Sequence, residues 1–185
     1  MVSDTGQYFV TYQEAEDDIN YFFPSSRLLS SSLATPSTRH LAGVEHTSCC
    51  VIRPHAFSRA GDIIHEIISA GFQIAAMENF LLDFGKADEF LEVYKGVIDH
   101  YGEAVKELSS GDCIALQIVL PEDPENVVAR FRELCGPQDP AVAKSLRPKS
   151  LRGKFGETLT KNGVHCTDLR EDGPLEVEYF FNVLQ

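Results

Sequence analysis

The chain has 185 residues, of which 43% are hydrophobic and 24% charged, a composition typical of a soluble globular protein. These proportions exclude fibrous proteins and extensively disordered chains. Sixteen Lys and Arg against 28 Asp and Glu give a net charge of -12, so the molecule as a whole repels nucleic acid and anionic lipid, and an anionic ligand needs a local basic site.

The N-terminal part of the chain differs in composition from the rest. Residues 24–46 are rich in serine and proline and lack apolar periodicity, which predicts a surface linker before a folded domain at residues 47–185. Asp18–Phe23 also resembles Glu176–Phe181 in charge and in its aromatic triplet. We therefore expect residues 1–23 to be the tail of a preceding copy of the same domain.

The domain alternates between predicted strands and helices. Strands are predicted at Ser48–Arg53, Phe72–Phe84 and Cys113–Leu120. Helices are predicted at Ala60–Ala70, at Lys86–Ser109 with a break at Gly102, at Glu125–Leu134 and at Leu175–Leu184. This order indicates an α+β sandwich with helices on one face of the sheet.

Two features predict a cytoplasmic location. The sequence contains no stretch approaching the roughly 18 apolar residues of a membrane span, and its acidic N-terminus is unlike a signal peptide. The cysteines show no paired metal-ligand spacing, so we expect reduced thiols at Cys49, Cys50, Cys113, Cys135 and Cys166. Cys49 and Cys50 are either a redox pair or, as we favour, small strand residues.

Basic residues concentrate in one segment of this acidic chain. Between residues 144 and 161 a single acid, Glu157, opposes six cations: Lys144, Arg147, Lys149, Arg152, Lys154 and Lys161. Together with Arg132, the arginines could grip phosphate oxygens bidentately. The alternative is a solvated basic loop. Nucleic-acid binding by this segment is disfavoured by the net charge and by the lack of interleaved aromatic residues.

His165 follows the basic segment. A neutral imidazole beside cations can attack phosphorus near pH 7 and pass the phosphoryl group onward. Glu176 is a plausible carboxylate to fix the ring tautomer, and Thr167 could support either that carboxylate or the ring. Taken alone, such a histidine is more commonly a surface residue or a satisfied core residue.

Four separated motifs together resemble those of nucleoside diphosphate kinases. They are Arg53–Ala56, Arg132 with Cys135–Pro140, Arg147–Phe155, and Asn162–Asp168 with Glu176. The resemblance covers about residues 48–181. It implies a ferredoxin-like βαββαβ fold with an antiparallel sheet, and ping-pong transfer through phosphorylated His165. Residues 21–26, Arg53–His55 and His165–Asp168 further resemble the second kinase domain of the tandem, cilium-associated type 7 branch of the family.

The resemblance also implies roles for individual residues. The substrates would be nucleoside di- and triphosphates, with Mg²⁺ held by their phosphates rather than directly by side chains. The catalytic set would be His165, Glu176 and Thr167; the phosphate-binding set would be Arg53, Arg132, Arg152 and Gln138. The nucleoside-binding set would be Asn162 for the sugar, with Leu159, Leu91 and an aromatic residue, His100 or Tyr101, around the base.

Several positions depart from the family pattern. Arg53 replaces a lysine and His55 an aspartate, while Leu91 takes the place of a tyrosine near the phosphates and Gln138 that of a threonine. Arginine keeps the charge of lysine but not its shape, so activity could be reduced. The segment Ala141–Arg147 is also longer by a few residues, which puts the usual hexamer in question.

Two functional hypotheses follow. The first is a working nucleoside diphosphate kinase, favoured by the joint presence of His165, Arg132, Arg152, Asn162 and Glu176. The second is a weakly active or inactive kinase-fold module with a structural role in microtubule assemblies. Its partners would be tubulin or axonemal proteins, and its location a cilium, an axoneme or a centrosome. The altered Arg53, Leu91 and Gln138 favour the second hypothesis, whereas its partners rest on the resemblance alone.

Overall fold

The computed structural model describes residues 44–184. The predicted tail at residues 1–23, with its copy of the aromatic motif, and nearly all of the predicted linker lie outside the described residues. Within residues 44–184 no helix is both long and apolar enough to cross a membrane.

Four strands form one antiparallel sheet. They are β1 (Ser48–Ile52), β2 (Gln73–Leu81), β3 (Asp112–Val119) and β4 (Val164–Cys166), in the order β2-β3-β1-β4. β1 lies centrally and pairs with both β3 and β4. Helix α1 (Ala60–Ser69) connects β1 to β2, and a second long connection with helices joins β3 to β4. The chain therefore has the βαββαβ order of a ferredoxin-like fold, which confirms the predicted α+β class.

The other helices fill the connections. They are α2 (Phe84–Phe90), α3 (Tyr101–Leu108), α4 (Val127–Cys135), α5 (Pro140–Leu146), α6 (Leu151–Phe155) and α7 (Asp172–Glu178). Short 3₁₀ turns lie at Val44–His46, Pro54–Arg59, Glu92–Tyr94 and Pro124–Asn126, and a π-helical turn at Tyr179–Val183 follows α7.

Hydrophobic cores lie on both faces of the sheet. Successive side chains of a strand point to opposite faces, so Cys50 and Ile52 enter one core while Cys49 and Val51 enter the other. The two helices of the βαββαβ motif, α1 and α4, pack together on the first face, as predicted. Residues of α2, α3 and α7 additionally cover the second. The adjacent cysteines are thus buried strand residues on opposite faces, and both are free thiols.

The predicted helix at Lys86–Ser109 breaks at a different place than expected. The interruption lies between Phe90 and Tyr101, and Gly102 is inside α3. Gly96 lies in the interruption with a φ of 77°, a left-handed conformation that glycine adopts without steric cost. The C-terminal helix also begins earlier than predicted, because Pro174 lies in the first turn, where a helix tolerates proline.

Candidate phosphoryl-transfer site

A cavity of about 480 Å³ opens beside the ends of β1 and β4. Most of the predicted site residues line it: Arg53, Leu91, His100, Arg132, Gln138, Arg152, Leu159, Asn162 and His165. The other lining residues include Tyr94, Arg147 and Asp168. The arginines give the cavity a positive character that the net charge of the chain does not suggest.

His165 is held between the sheet and an aromatic cluster. It pairs with Val51 of β1 and, by strand alternation, lies on the face opposite the core that contains Val164 and Cys166. Its ring makes edge contacts with Phe90 at 4.9 Å and Tyr94 at 6.4 Å between centroids. Only 5% of the residue is exposed. The ring is therefore immobilised by packing, and its small exposed part faces the cavity.

Glu176 and Thr167 form a hydrogen-bonded chain behind this ring. His165 Nε2 lies 3.1 Å from both carboxylate oxygens of Glu176, and Thr167 Oγ1 donates to Glu176 Oε2 at 2.7 Å. The Cys49 backbone N–H donates to Thr167 Oγ1 at 2.8 Å. Since a carboxylate only accepts, the network assigns the proton to Nε2 and leaves the lone pair on Nδ1. Of the two options for Thr167, the structure has it contacting the carboxylate.

The basic segment divides between the cavity and the outer surface. Within residues 144–161, all of which the structure describes, Arg147 and Arg152 line the cavity, whereas Lys154 pairs with Glu66 at 2.6 Å. Arg152 is anchored by bonds from Nη1 to the Gly136 carbonyl at 2.9 Å and from Nε to the Val164 carbonyl at 3.2 Å. Its guanidinium is thereby fixed beside the strand that carries His165.

Arg132 lies at an exposed side of the cavity and pairs with Asp168. The distance from Arg132 Nη2 to Asp168 Oδ1 is 3.3 Å, and Nη1 donates to the Asp168 carbonyl at 2.9 Å. Tyr94 donates its hydroxyl to Asp168 Oδ2 at 2.7 Å. Burial and this hydrogen bond raise the pKa of Tyr94, so the hydroxyl stays protonated. Arg132 and Tyr94 thus direct to Asp168 hydrogen-bond donors that could also bind a phosphate.

Tyr94 adds a hydroxyl to the cavity that the sequence interpretation did not include. Matching Leu91 to the family tyrosine predicts a cavity without that hydroxyl, but the structure has Tyr94 among the lining residues. Leu91 is an almost fully buried core residue at the cavity edge. The only signal for Tyr94 in the sequence is its position three residues further along the same segment.

Arg53 has a partner that the sequence analysis missed. Its Nη1 donates to Glu107 Oε2 at 3.0 Å, and His55 Nδ1 lies 2.7 Å from Glu107 Oε1. Burial alone would raise the pKa of Glu107, but the hydrogen bond from His55 and the charge of Arg53 together lower it. The one available signal was an acidic residue between the apolar positions Val105 and Leu108 of a helix.

The predicted nucleoside-binding residues do not all reach the cavity. Asn162 is buried; its Nδ2 donates to the Gln138 carbonyl at 3.5 Å, while its Oδ1 has no partner among residues 44–184. Leu159 and His100 line the cavity. Tyr101 is not among the lining residues, because its hydroxyl is bonded to Asp88 Oδ1 at 2.8 Å. Of the two aromatic alternatives, His100 is thus the one that lines the cavity.

A ferredoxin-like domain with a carboxylate-anchored histidine in an arginine-lined cavity has the features expected of a phosphoryl-transfer protein. The family model described as nucleoside diphosphate kinase matches residues 45–185 of this chain. The chain belongs to the nucleoside diphosphate kinase family.

Individual relatives agree with this assignment. Nucleoside diphosphate kinase homolog 7 of Rattus norvegicus is 43% identical over 176 residues, which cover 94% of this chain and 42% of that protein. The same protein of Mus musculus gives the same values. The chain thus spans less than half the length of these relatives. The identity is consistent with the type 7 resemblance noted from the motifs.

Single-domain enzymes of the family are more distant but are matched over nearly their whole length. The nucleoside diphosphate kinase of Aquifex aeolicus is 31% identical over 137 residues, or 93% of that protein. An orthorhombic crystal structure of the Aquifex aeolicus enzyme superimposes with a TM-score of 0.68, covering 75% of this chain and 96% of that one. The ferredoxin-like architecture is therefore shared with solved structures of the family.

Proposed function

We propose that this domain is an active nucleoside diphosphate kinase that transfers the terminal phosphoryl group of a nucleoside triphosphate to a nucleoside diphosphate through His165. The observation that supports the proposal best is the chain from Cys49 N–H through Thr167 and Glu176 to His165 Nε2. This chain holds the opposite ring nitrogen, Nδ1, ready as a nucleophile.

The chemistry proceeds in two mirrored steps. In the first, the Nδ1 lone pair forms a bond to the γ-phosphorus, and the bond from that phosphorus to the bridging oxygen breaks, with its electron pair leaving on the diphosphate. The proton remains between His165 Nε2 and Glu176, whose negative charge stabilises the positive ring. In the second step a different nucleoside diphosphate takes the phosphoryl group by the reverse displacement.

The arginines supply most of the remaining stabilisation. Phosphoryl transfer needs positioning and neutralisation of oxygen charge more than proton transfer, and Arg132, Arg147 and Arg152 all line the cavity. Mg²⁺ would enter as part of the nucleotide complex. Glu176 and Asp168 already accept hydrogen bonds from Thr167, Tyr94 and Arg132, which favours phosphate oxygens as ligands for the metal.

The nucleoside would bind at the mouth of the same cavity. The buried Oδ1 of Asn162, to which no residue of the described part of the chain donates a hydrogen bond, is an acceptor suited to a sugar hydroxyl. Leu159 and His100 offer apolar and aromatic surface to the base without a defined donor pattern, so broad base tolerance is expected. With the Tyr94 hydroxyl present, Arg53 and Gln138 are the departures from the family pattern that still affect the phosphate contacts.

The microtubule-associated role, with tubulin or axonemal partners, and the cytoplasmic or ciliary location stay predictions from the sequence.

Direct labelling tests the proposal. The chain is incubated with Mg²⁺ and γ-labelled ATP, and the expected product is an acid-labile, base-stable phosphoprotein that returns its label to added nucleoside diphosphate. His165→Ala should carry no label. His65→Ala, which alters an exposed histidine of α1, is the matched control and should label like the wild type. An unlabelled wild-type chain at saturating nucleotide, or a labelled His165→Ala chain, would contradict the proposal.

Arg152→Ala sharpens the same experiment. Removing one preorganised donor to transferring oxygens typically lowers the rate by about 10²- to 10³-fold. We expect this loss in the rate of labelling, together with loss of the thermal stabilisation that nucleotide gives the wild type. An unchanged rate would show that the basic segment is not the phosphate site.

A further inference from the structure

Glu107 is a buried carboxylate of α3 that contacts the cavity-lining residue Arg53. Its side chain is 5% exposed, and it accepts from Arg53 Nη1 at 3.0 Å and from His55 Nδ1 at 2.7 Å. The His55 backbone N–H also points to Oε1, at 3.4 Å. A buried charge is tolerated only when it is paired and hydrogen-bonded, and among the residues that the structure describes Glu107 meets this condition through Arg53 and His55.

His55 links Glu107 to Gly163, which lies between Asn162 and β4. The Gly163 backbone N–H donates to His55 Nε2 at 3.1 Å, so Nε2 is an acceptor and the ring proton lies on Nδ1, directed at Glu107. The Arg53 backbone N–H donates to the Gly163 carbonyl at 3.0 Å. Both polar groups of Gly163 are therefore held by residues 53–55, between Asn162 and β4.

The contact with Glu107 does not use all the hydrogen-bond donors of Arg53. The residue is 6% exposed and lines the cavity. Glu107 occupies Nη1, but Nε has no hydrogen-bond partner among residues 44–184. A planar guanidinium fixed at one nitrogen is oriented as a whole, so its unused donor has a defined direction.

From these contacts we infer that Glu107 is a positioning residue for phosphoryl transfer. It orients Arg53 toward the bound nucleotide and, through His55 and Gly163, fixes Asn162 and the entry of the strand that carries His165. This inference rests on the proposed function. It also accounts for Arg53 and His55 together, since both side chains that depart from the family pattern here bind the same carboxylate.

Glu107→Gln is the informative variant, because it keeps the shape of the side chain and an oxygen acceptor for His55 while removing the charge that holds Arg53. We expect kcat/KM for phosphohistidine formation to fall by roughly 10- to 100-fold per folded molecule. Glu103→Gln, on the exposed side of the same helix, removes the same charge and is the control. Thermal unfolding of each variant gives the folded fraction, so instability is separated from the kinetic effect.

A double-mutant cycle with Arg53→Met tests the route of the effect. If Glu107 acts through Arg53, the double variant should lose no more kcat/KM than the more impaired single variant. A purely structural role would lower the unfolding temperature and leave kcat/KM per folded molecule unchanged.

The outcomes separate the two proposals. A wild-type chain that labels, with Glu107→Gln within about twofold of Glu103→Gln, would overturn the positioning role and leave the proposed function intact. Losses that multiply in the double variant would overturn the route through Arg53, because the charge of Glu107 would then act independently of Arg53. A wild-type chain that does not label would overturn both proposals.

Discussion

Two arginine–carboxylate pairs border the same cavity but differ greatly in exposure to solvent. Arg53 and Glu107 are 3.0 Å apart with side chains 7% and 5% exposed. Arg132 and Asp168 are 3.3 Å apart with side chains 50% and 44% exposed. Water and salt screen the second pair, whereas the first lies where an unpaired charge is costly.

This difference separates the two sides of the cavity by function. The buried pair is suited to hold the two side chains in one orientation, because separating them would leave an unpaired charge in the protein interior. The exposed pair is suited to exchange, because the oxygens of Asp168 occupy donors of Arg132 and Tyr94 that a phosphate could take over. Under the proposed function, one side of the cavity would position the nucleotide, and on the other side the nucleotide phosphate would replace Asp168 as the partner of Arg132 and Tyr94.

The largest expected difference between the pairs is in stability. Glu107→Ala should lower the free energy of unfolding at pH 7 by roughly 3–5 kcal/mol, since it leaves Arg53 buried and uncompensated. Asp168→Ala should lower it by no more than about 1 kcal/mol. Urea unfolding of the two variants against the wild type measures both values. Equal losses would mean that exposure does not distinguish the pairs.

Acid should reduce the contribution of the buried pair. The pKa of Glu107 is lowered from its ordinary value of 4.5, so its stabilising effect is present above that value and disappears as the pH falls through the lower, folded-state pKa. The difference in unfolding free energy between wild type and Glu107→Gln should therefore be largest at neutral pH and shrink below about pH 4.5. Glu103→Gln is the control. A difference that stays constant from neutral to acidic pH would contradict this assignment of the charge pair.

The sheet and the position of the candidate site around His165 were predictable from the sequence, for reasons that can be named. β1 and β3 are short runs of β-forming residues bounded by Pro54 and Pro121, so their position follows from local chemistry. The motif Asn162–Asp168 identified His165 by residue type and order, and Glu176 was predicted as its carboxylate partner. The structure has Glu176 in contact with the His165 ring.

The buried pair was not accessible, because it depends on tertiary contact. Glu107 looks like an ordinary acidic helix residue, and its partner Arg53 lies 54 positions earlier at the end of a strand. Periodicity assigns Glu107 to a buried helix face but cannot name what it meets there. The basic segment at residues 144–161 is a similar case, because the spacing of its cations does not predict which of them line the cavity.

The predicted position of the helix break between Phe90 and Tyr101 was wrong for a different reason. Both Gly96 and Gly102 interrupt a helical pattern, and local propensity does not decide which of them ends the helix. The presence of Tyr94 in the cavity was also not predictable, because its hydroxyl contacts Asp168, 74 positions further along the chain. Its edge contact with His165 likewise depends on the tertiary structure.

The exposed pair should respond most weakly, and through ligand binding. Asp168→Asn removes the negative charge that competes with phosphate for Arg132, so the affinity for a magnesium nucleoside diphosphate should rise by about two- to fivefold, equivalent to no more than about 1 kcal/mol. Isothermal titration at low and high salt measures the change, which should diminish at high salt because the charges are exposed. Glu133→Gln also alters a carboxylate at the cavity, but Glu133 pairs with Arg130 rather than Arg132, so it serves as the control. Weaker binding by Asp168→Asn would show that Asp168 orders Arg132 for the ligand instead of competing with it, and the exposed pair would then resemble the buried one in function.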